Sequence, residues 1–343
     1  MRLLKWVLAL FGCGVVMALA AAWFASSWLA AEMKRPGGFS EDASFKVERG
    51  SYFGSVVEDL SAAGLIKNPT AVKIYARLNG LESQTKAGSY RFQAGASAAS
   101  ILETIISGDV SLLRLTIAEG LTSAQILALI EASDALDGPV PADAPAEGTL
   151  LPDTYFFEEG TSRIDFLNLM ATAQADLMAA AWSQRSPLAL VESPEEAIIL
   201  ASIVEKETGQ AGERDLIAGL FNERLRRGMR LESDPTIIYG ISRGMPLFNR
   251  QGERRTLYRS EINRRTDWNT YQIDGLPRTA ICNPGRAAIE AVLNPPETDY
   301  IFFVADGSGG HKFARTYAEH KRNVRAYRRF EQQEIARERA ASQ

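Results

Sequence analysis

The chain opens on one long uncharged apolar run and then breaks into short amphipathic pieces. No charged residue occurs from Trp6 to Ala31. At about 1.5 Å per residue, a helix over 6–31 exceeds the ~30 Å hydrocarbon core of a bilayer. Trp6, Trp23 and Trp28 stand toward its ends, where interfacial aromatics collect. The pattern predicts a transmembrane helix over 6–31 behind a short tail, 1–5. A cleaved signal peptide is the competing reading, because Arg2 and Lys5 form a basic leader and residues 20–22 are three alanines. A signal's apolar region runs only about 7–15 residues, which favours the anchor. Arg2 and Lys5 before the span nearly match Lys34 and Arg35 after it, so the positive-inside rule alone decides little. The order of charge followed by apolar run places the N-terminus in the cytoplasm and the body outside.

A linker bearing Pro, Gly and Ser is expected over 32–43. Residues 44–109 read as a compact unit. Phe45-Lys46-Val47 alternates like a strand, Val56–Ala63 is a helix stopped by Gly64, and Ala71–Leu78 is a second helix behind Pro69. Lys86–Phe92 returns as a strand. Ser97–Ile106 is a helix with Ala98, Ile101, Leu102 and Ile105 on one face.

From 110 to 343 the pieces run strand (112–117), helix (124–132, capped by Thr122), aperiodic loop (134–147) and long amphipathic helix (162–181). Ser193-Pro194-Glu195-Glu196 is a helix start, with Ser193 as N-cap, Pro194 as first helical residue and Glu196 as the reciprocal capping-box acid. A helix over 213–227 ends at Gly228, 240–284 is mostly loop, 300–305 is a strand, and a charged helix starts at Thr316. These mixed periods give an α+β fold.

Length allows one anchor and about two domains. A net charge of -4 leaves no basic footprint for nucleic acid. Cys13 and Cys282 lie in different regions, so no disulfide is expected and the core must stabilise the chain. His311 and His320 are the only histidines, and neither has a ligand at metal spacing; no metal or cofactor is expected.

The sharpest chemical signal is the run Ala197 to Thr208, in which a nearly unbroken apolar helix reaches Glu205. A carboxylate losing water there has its pKa raised, as a general acid requires. Glu205 shares a face with Ile198, Ala201 and Ser202, while Glu207, about 200° round, is expected to meet solvent or a basic partner. The plain alternative for Glu205 is a surface acid or an arginine pair. Asp153 and Asp234 are each either a second carboxylate of a glycosidase pair or a loop-ordering cap. Gly240-Ile241-Ser242-Arg243-Gly244 fits a nucleophile-elbow pattern, but Pro246 arrives too early for the helix that motif needs.

Together these segments resemble the YceG-like family of endolytic murein transglycosylases. The resemblance rests on Glu147-Gly148 with Leu151-Pro152-Asp153-Thr154-Tyr155, on Ala201-Ser202-Ile203-Val204-Glu205-Lys206-Glu207-Thr208, and on Glu213-Arg214. It continues through Ser233-Asp234-Pro235-Thr236, Asn269-Thr270-Tyr271, Gly275-Leu276-Pro277, Asn283-Pro284-Gly285 and Gly309-Gly310-His311. Arg278 and Ala280 depart from the family's prolines. The resemblance implies a LysM-like subdomain over 44–109 and a catalytic domain over 110–343. It implies a single-pass anchor in the cytoplasmic membrane and cleavage of the MurNAc-β-1,4-GlcNAc bond of nascent glycan to leave 1,6-anhydro ends. Peptidoglycan and its synthases would be the partners. By motif the family's acid falls on Glu205, with Asn269, Tyr271 and His311 as groove donors and Asp234 and Asp153 ordering loops around them. A single acid suffices because the substrate's own 6-hydroxyl is the nucleophile. A silent peptidoglycan-binding anchor is the alternative from another class.

Overall fold

The computed structural model describes residues 2–341. The chain is mixed α+β and forms two compact units. One runs through Leu113 and includes Phe156–Glu159; the other is Arg114–Tyr155 together with the chain from Gly160 onward.

In the first unit, α1 (Arg2–Lys34) is one continuous helix, long and apolar enough over Leu10–Lys34 to cross a membrane. The tail expected over 1–5 is already helical from Arg2, and Met1 lies outside the described residues. The expected linker over 32–43 is not slack. Leu29 and Met33, four residues apart on one helix face, are buried, and Met33 belongs to the unit's core. Beyond Lys34, the Gly37 N–H donates to the carbonyls of Gly95 and Ala96, and Asp42 accepts from the Ala94 N–H.

The unit continues as β1 (Ala43–Val47), α2 (Phe53–Ala62), α3 (Pro69–Leu78), β2 (Gly88–Phe92) and α4 (Ala98–Ser107). β1 and β2 pair antiparallel, Ala43 opposite Phe92 and Val47 opposite Gly88. Local chemistry sets the helix ends. Asn68 caps α3 ahead of Pro69, Ser97 caps α4, and Gly108 closes α4 in the left-handed conformation at φ 74°. Val56, Val57, Leu60, Val72, Tyr90, Ile101 and Ile105 fill the core.

β3 (Leu112–Thr116) leads into the second unit, followed by α5 (Ser123–Glu131), β4 (Leu136–Asp137), β5 (Thr154–Glu158), β6 (Thr161–Ser162) and α6 (Arg163–Ser183). Then come α7 (Pro194–Glu207), a 3₁₀ turn (Ala211–Glu213), α8 (Arg214–Arg226), α9 (Asp234–Ser242), α10 (Arg259–Ile262) and α11 (Arg286–Leu293). β7 (Phe302–Ala305), β8 (His311–Ala314) and α12 (Tyr317–Ala341) complete it. Among the described residues the strands of this unit pair two by two: β3 with β5, β4 parallel to β6, and β7 antiparallel to β8. The loop expected over 134–147 therefore contains one short strand, and 240–284 contains the end of α9 and a single turn, α10.

α7 is the core's central helix. Ala197, Leu200, Ala201, Ile203 and Val204 are fully buried, and α8 and α11 pack on it. Ser193 caps it as expected, accepting from the Glu196 N–H at 3.2 Å. Glu196 reaches back one residue further than a capping box predicts, to the Glu192 N–H at 2.7 Å. Thr122 and Gln125 form the complete capping box of α5.

Candidate active site

α7 ends at Glu207, and Thr208 is extended. Its last turn aims Glu205 and Glu207 in nearly opposite directions, and each enters a separate polar cluster.

Glu205 enters a junction of three helices. Its side chain is 6% exposed. Oε2 accepts the Gly285 N–H at 3.0 Å, and Gly285 opens α11. Having no side chain, Gly285 cannot cap that helix, so Glu205 fills the orphan donor from outside. Oε1 lies 3.6 Å from Arg214 Nη2 at the start of α8, and the same nitrogen is 3.5 Å from Glu119 Oε2. A Cβ at Gly285 would run into the Glu119 carboxylate, so the close approach requires glycine. The Glu205 pKa is raised, chiefly by burial. The Gly285 N–H opposes this, Glu119 adds to it, and Arg214 and Lys206 oppose it. On the same helix face, Ser202 Oγ accepts the Ile281 N–H at 3.0 Å, which explains a hydroxyl in an otherwise apolar run.

Glu207 has the basic neighbour expected of it, but within a buried carboxyl cluster rather than in solvent. It is half-buried, with Ser233, Asp234 and Tyr271 around it and Arg224 as the nearby cation. Burial pushes its carboxyl up to about 7; Asp234 adds to the rise, and Ser233 and Arg224 oppose it. Ser233 is the N-cap residue of α9 and Asp234 its first helical residue. The Ser233 hydroxyl is buried and faces the Glu207 carboxyl. Tyr271 OH donates to Asp234 Oδ1 at 2.8 Å. Burial and Asp234 both raise the Tyr271 pKa, so its proton stays available to that bond. Glu232, just before the cap, holds φ at 51°, a left-handed conformation that costs a non-glycine residue about 1 kcal/mol or more. Buried Arg224 fixes that turn by donating to the carbonyls of Arg230 (3.1 Å) and Leu231 (2.8 Å) and contacting Glu232 Oε2 at 3.3 Å.

A third carboxyl lies nearby in the same unit. Burial raises the Glu147 pKa, against hydrogen bonds from the Ser123 N–H (2.9 Å) and Tyr239 OH (3.4 Å). Asn283, fully buried, ties this region together. Its Oδ1 accepts the Gly148 and Leu150 N–H groups, each at 3.0 Å, and its Nδ2 donates to Ser123 Oγ and the Leu121 carbonyl. Glu147, Tyr239, Trp268, Arg278, Ile198 and Ala280 line part of a cleft of about 850 Å³, large enough for a sugar-sized ligand. The Tyr239 and Trp268 rings meet edge to face at 5.7 Å, and the Arg243 guanidinium stacks 4.3 Å from the Trp268 ring.

The remaining expected residues divide. Asp234 and Tyr271 come together beside Glu207. Asn269 does not serve a groove: it is 0% exposed. Its Nδ2 donates to the carbonyls of Glu261, Ile262 and Arg264, and its Oδ1 accepts the Tyr271 N–H. Its amide is spent on ordering the loop that presents Tyr271. His311 Nδ1 lies 2.7 Å from Glu213 Oε2, and its N–H donates to Glu213 Oε1 at 2.8 Å, so it fastens β8 to the turn before Arg214. Asp153 is exposed and orders its own loop, accepting the Thr154 N–H and, through its carbonyl, the Ile117 N–H. Ser242 closes α9, donating to the Met245 carbonyl at 2.6 Å, with no strand before it.

Glu119, Arg214, Gly285, Ser233 and Arg224 carry much of the geometry but have no distinguishing spacing in the sequence. Glu213-Arg214, Ser233 and Gly285 stand in motif segments, which was the available signal.

The sequence profile of the YceG-like family matches residues 45–326. The endolytic murein transglycosylase of Bacillus subtilis (strain 168) is 26% identical over 312 residues, covering 82% of this chain and 83% of the relative. That of Streptococcus pneumoniae (strain D39) is 27% identical over 323 residues, covering 81% of this chain and 57% of the longer relative. A crystal structure of a yceG-like protein from Listeria monocytogenes is 24% identical, with a TM-score of 0.48, covering 82% of this chain and 99% of that one.

Proposed function

The chain belongs to the YceG-like family, and on that premise we propose that it is a peptidoglycan lytic transglycosylase whose acid is Glu207. The observation that carries the assignment is the carboxyl at the end of α7, pushed up to about 7 beside Asp234, Tyr271 and the buried Ser233 hydroxyl. The names of the relatives support the reaction class.

A carboxyl near 7 is protonated often enough at neutral pH to give its proton, and ionised often enough to take one back. In the proposed reaction Glu207 protonates the glycosidic oxygen as the C1–O4 bond breaks. The 6-hydroxyl of the same muramic residue then attacks C1, and its proton passes to the Glu207 carboxylate. The 1,6-anhydro ring forms, the acid is restored and no water is consumed. The Asp234 charge keeps the Glu207 proton on at rest, and Tyr271 fixes Asp234. The cleft beside Tyr239 and Trp268 offers apolar and aromatic surface to a sugar chain.

Glu205 supports a second reading of the acid, because it is also desolvated and its pKa is also raised. Its carboxylate already serves Gly285 and faces Arg214, contacts that favour the ionised form and a role in joining three helices. On the wider reading α1 is a single-pass anchor in the cytoplasmic membrane with the body outside. The bond cut is MurNAc-β-1,4-GlcNAc within nascent strands, ending their growth beside the synthases. Mass spectrometry of products from purified murein tests the reaction. Anhydro-ended fragments support it; reducing ends would mean hydrolysis and would require a water-activating carboxylate, for which Asp234 is placed.

A further inference from the structure

We propose that the first unit is seated on the membrane surface, against anionic lipid headgroups, and grips α1 where that helix leaves the bilayer. The proposal rests on α1 being the membrane anchor.

The geometry comes from a mismatch of lengths. Residues 6–31 would span about 39 Å as a helix, against ~30 Å of hydrocarbon. Counted from Trp6, about 20 residues fill the hydrocarbon, which then ends near residue 26. The headgroup layer adds about 5–7 Å, or roughly four more residues. Leu29 falls in that layer, yet it is only 7% exposed, and Met33, one turn later, is 2% exposed. α3 and α4 are the elements packed on α1. Whatever covers Leu29 lies at the height of Leu29. A tilt that held all of 6–31 in hydrocarbon would draw that cover deeper. Both arrangements bring the first unit to the surface.

The chain after α1 gives no slack, because Gly37 and Asp42 are bonded to the 94–96 turn. Lys34, Arg35 and Lys67 are exposed around the exit, and Lys67 lies beside Gly38. Glu32 is the opposing acid and contacts Arg35 at 3.5 Å, leaving the two lysines for lipid phosphate. α3 also turns Ile74 and Leu78 outward, while its own cations Lys73 and Arg77 are paired with Glu58 and Glu82.

The test uses the full chain with Cys13→Ala, reconstituted in vesicles of phosphatidylglycerol and phosphatidylethanolamine. Spin labels are placed one at a time at Val16→Cys and Thr70→Cys, and collision with oxygen and with a water-soluble nickel chelate is read by power saturation. The proposal expects the label at 16 to be open to oxygen and closed to nickel, and the label at 70 to lose most of its nickel accessibility. Adding Lys34→Gln and Lys67→Gln should raise that accessibility in part, at roughly fivefold in surface affinity per lysine, while the grip on α1 still holds the unit near the surface. A label at 16 in the bilayer with a label at 70 as open to nickel as on an unstructured peptide overturns the seating alone. A label at 16 open to nickel overturns the anchor, and the seating with it.

Discussion

Glu207→Gln should make the protein more stable above neutral pH while destroying its activity. Its carboxyl is raised from 4.5 to about 7 in the folded chain. Between those values the native state holds a proton that the unfolded state has released. Unfolding free energy therefore falls as pH rises through that window. At about 1.4 kcal/mol per pH unit the loss comes to roughly 3.5 kcal/mol over the whole window, and screening at a half-buried carboxyl trims it to about 2 kcal/mol. Glutamine keeps the shape and does not titrate. At pH 4.5 wild type and variant should have similar midpoints in urea, and by pH 8 the variant should lead by about 2 kcal/mol. Fluorescence of Trp182 and Trp268, both in the second unit, reports the transition for the full chain in detergent. Parallel pH profiles for the two proteins would refute the reasoning, because they would mean that Glu207 has the same pKa folded and unfolded.

Asn269→Ala should lower the stability of the second unit by roughly 2–3 kcal/mol, since it strands three carbonyls and one N–H. A raised KM with unchanged stability would instead restore Asn269 as a groove donor. Gly285→Ala should push Glu119 off the α11 start and cost about 1–3 kcal/mol in thermal or urea unfolding, with Glu119→Ala in the same chain recovering most of it. No recovery would show that Gly285 is needed for another reason.

Features encoded by neighbours in sequence were legible. Asn68-Pro69, Thr122 with Gln125, and Ser193-Pro194 each mark a helix start whose cap is made within three residues, and each start was found. The polar Ser202 and the desolvated Glu205 could also be read from the apolar run. What escaped depends on contacts distant in the chain. The helical wheel puts Glu207 opposite Glu205, but it does not reveal that the start of α9 and Tyr271 arrive on that side. Asn269 stands in a polar motif within a loop, which suggests a ligand. Only the fold reveals three carbonyls converging on its amide. Leu29 reads as part of the span and Met33 as linker because composition carries no sign that α3 and α4 cover them.

The most direct test of the central claim is the rate of anhydro-end formation from purified murein by wild type, Glu205→Gln and Glu207→Gln, each checked for folding. Loss of the acid should cost about 10²–10⁴-fold. The account predicts that loss for Glu207→Gln, with Glu205→Gln retaining measurable turnover in proportion to its folded fraction. A well-folded Glu205→Gln without activity beside an active Glu207→Gln would contradict it and return the acid to Glu205.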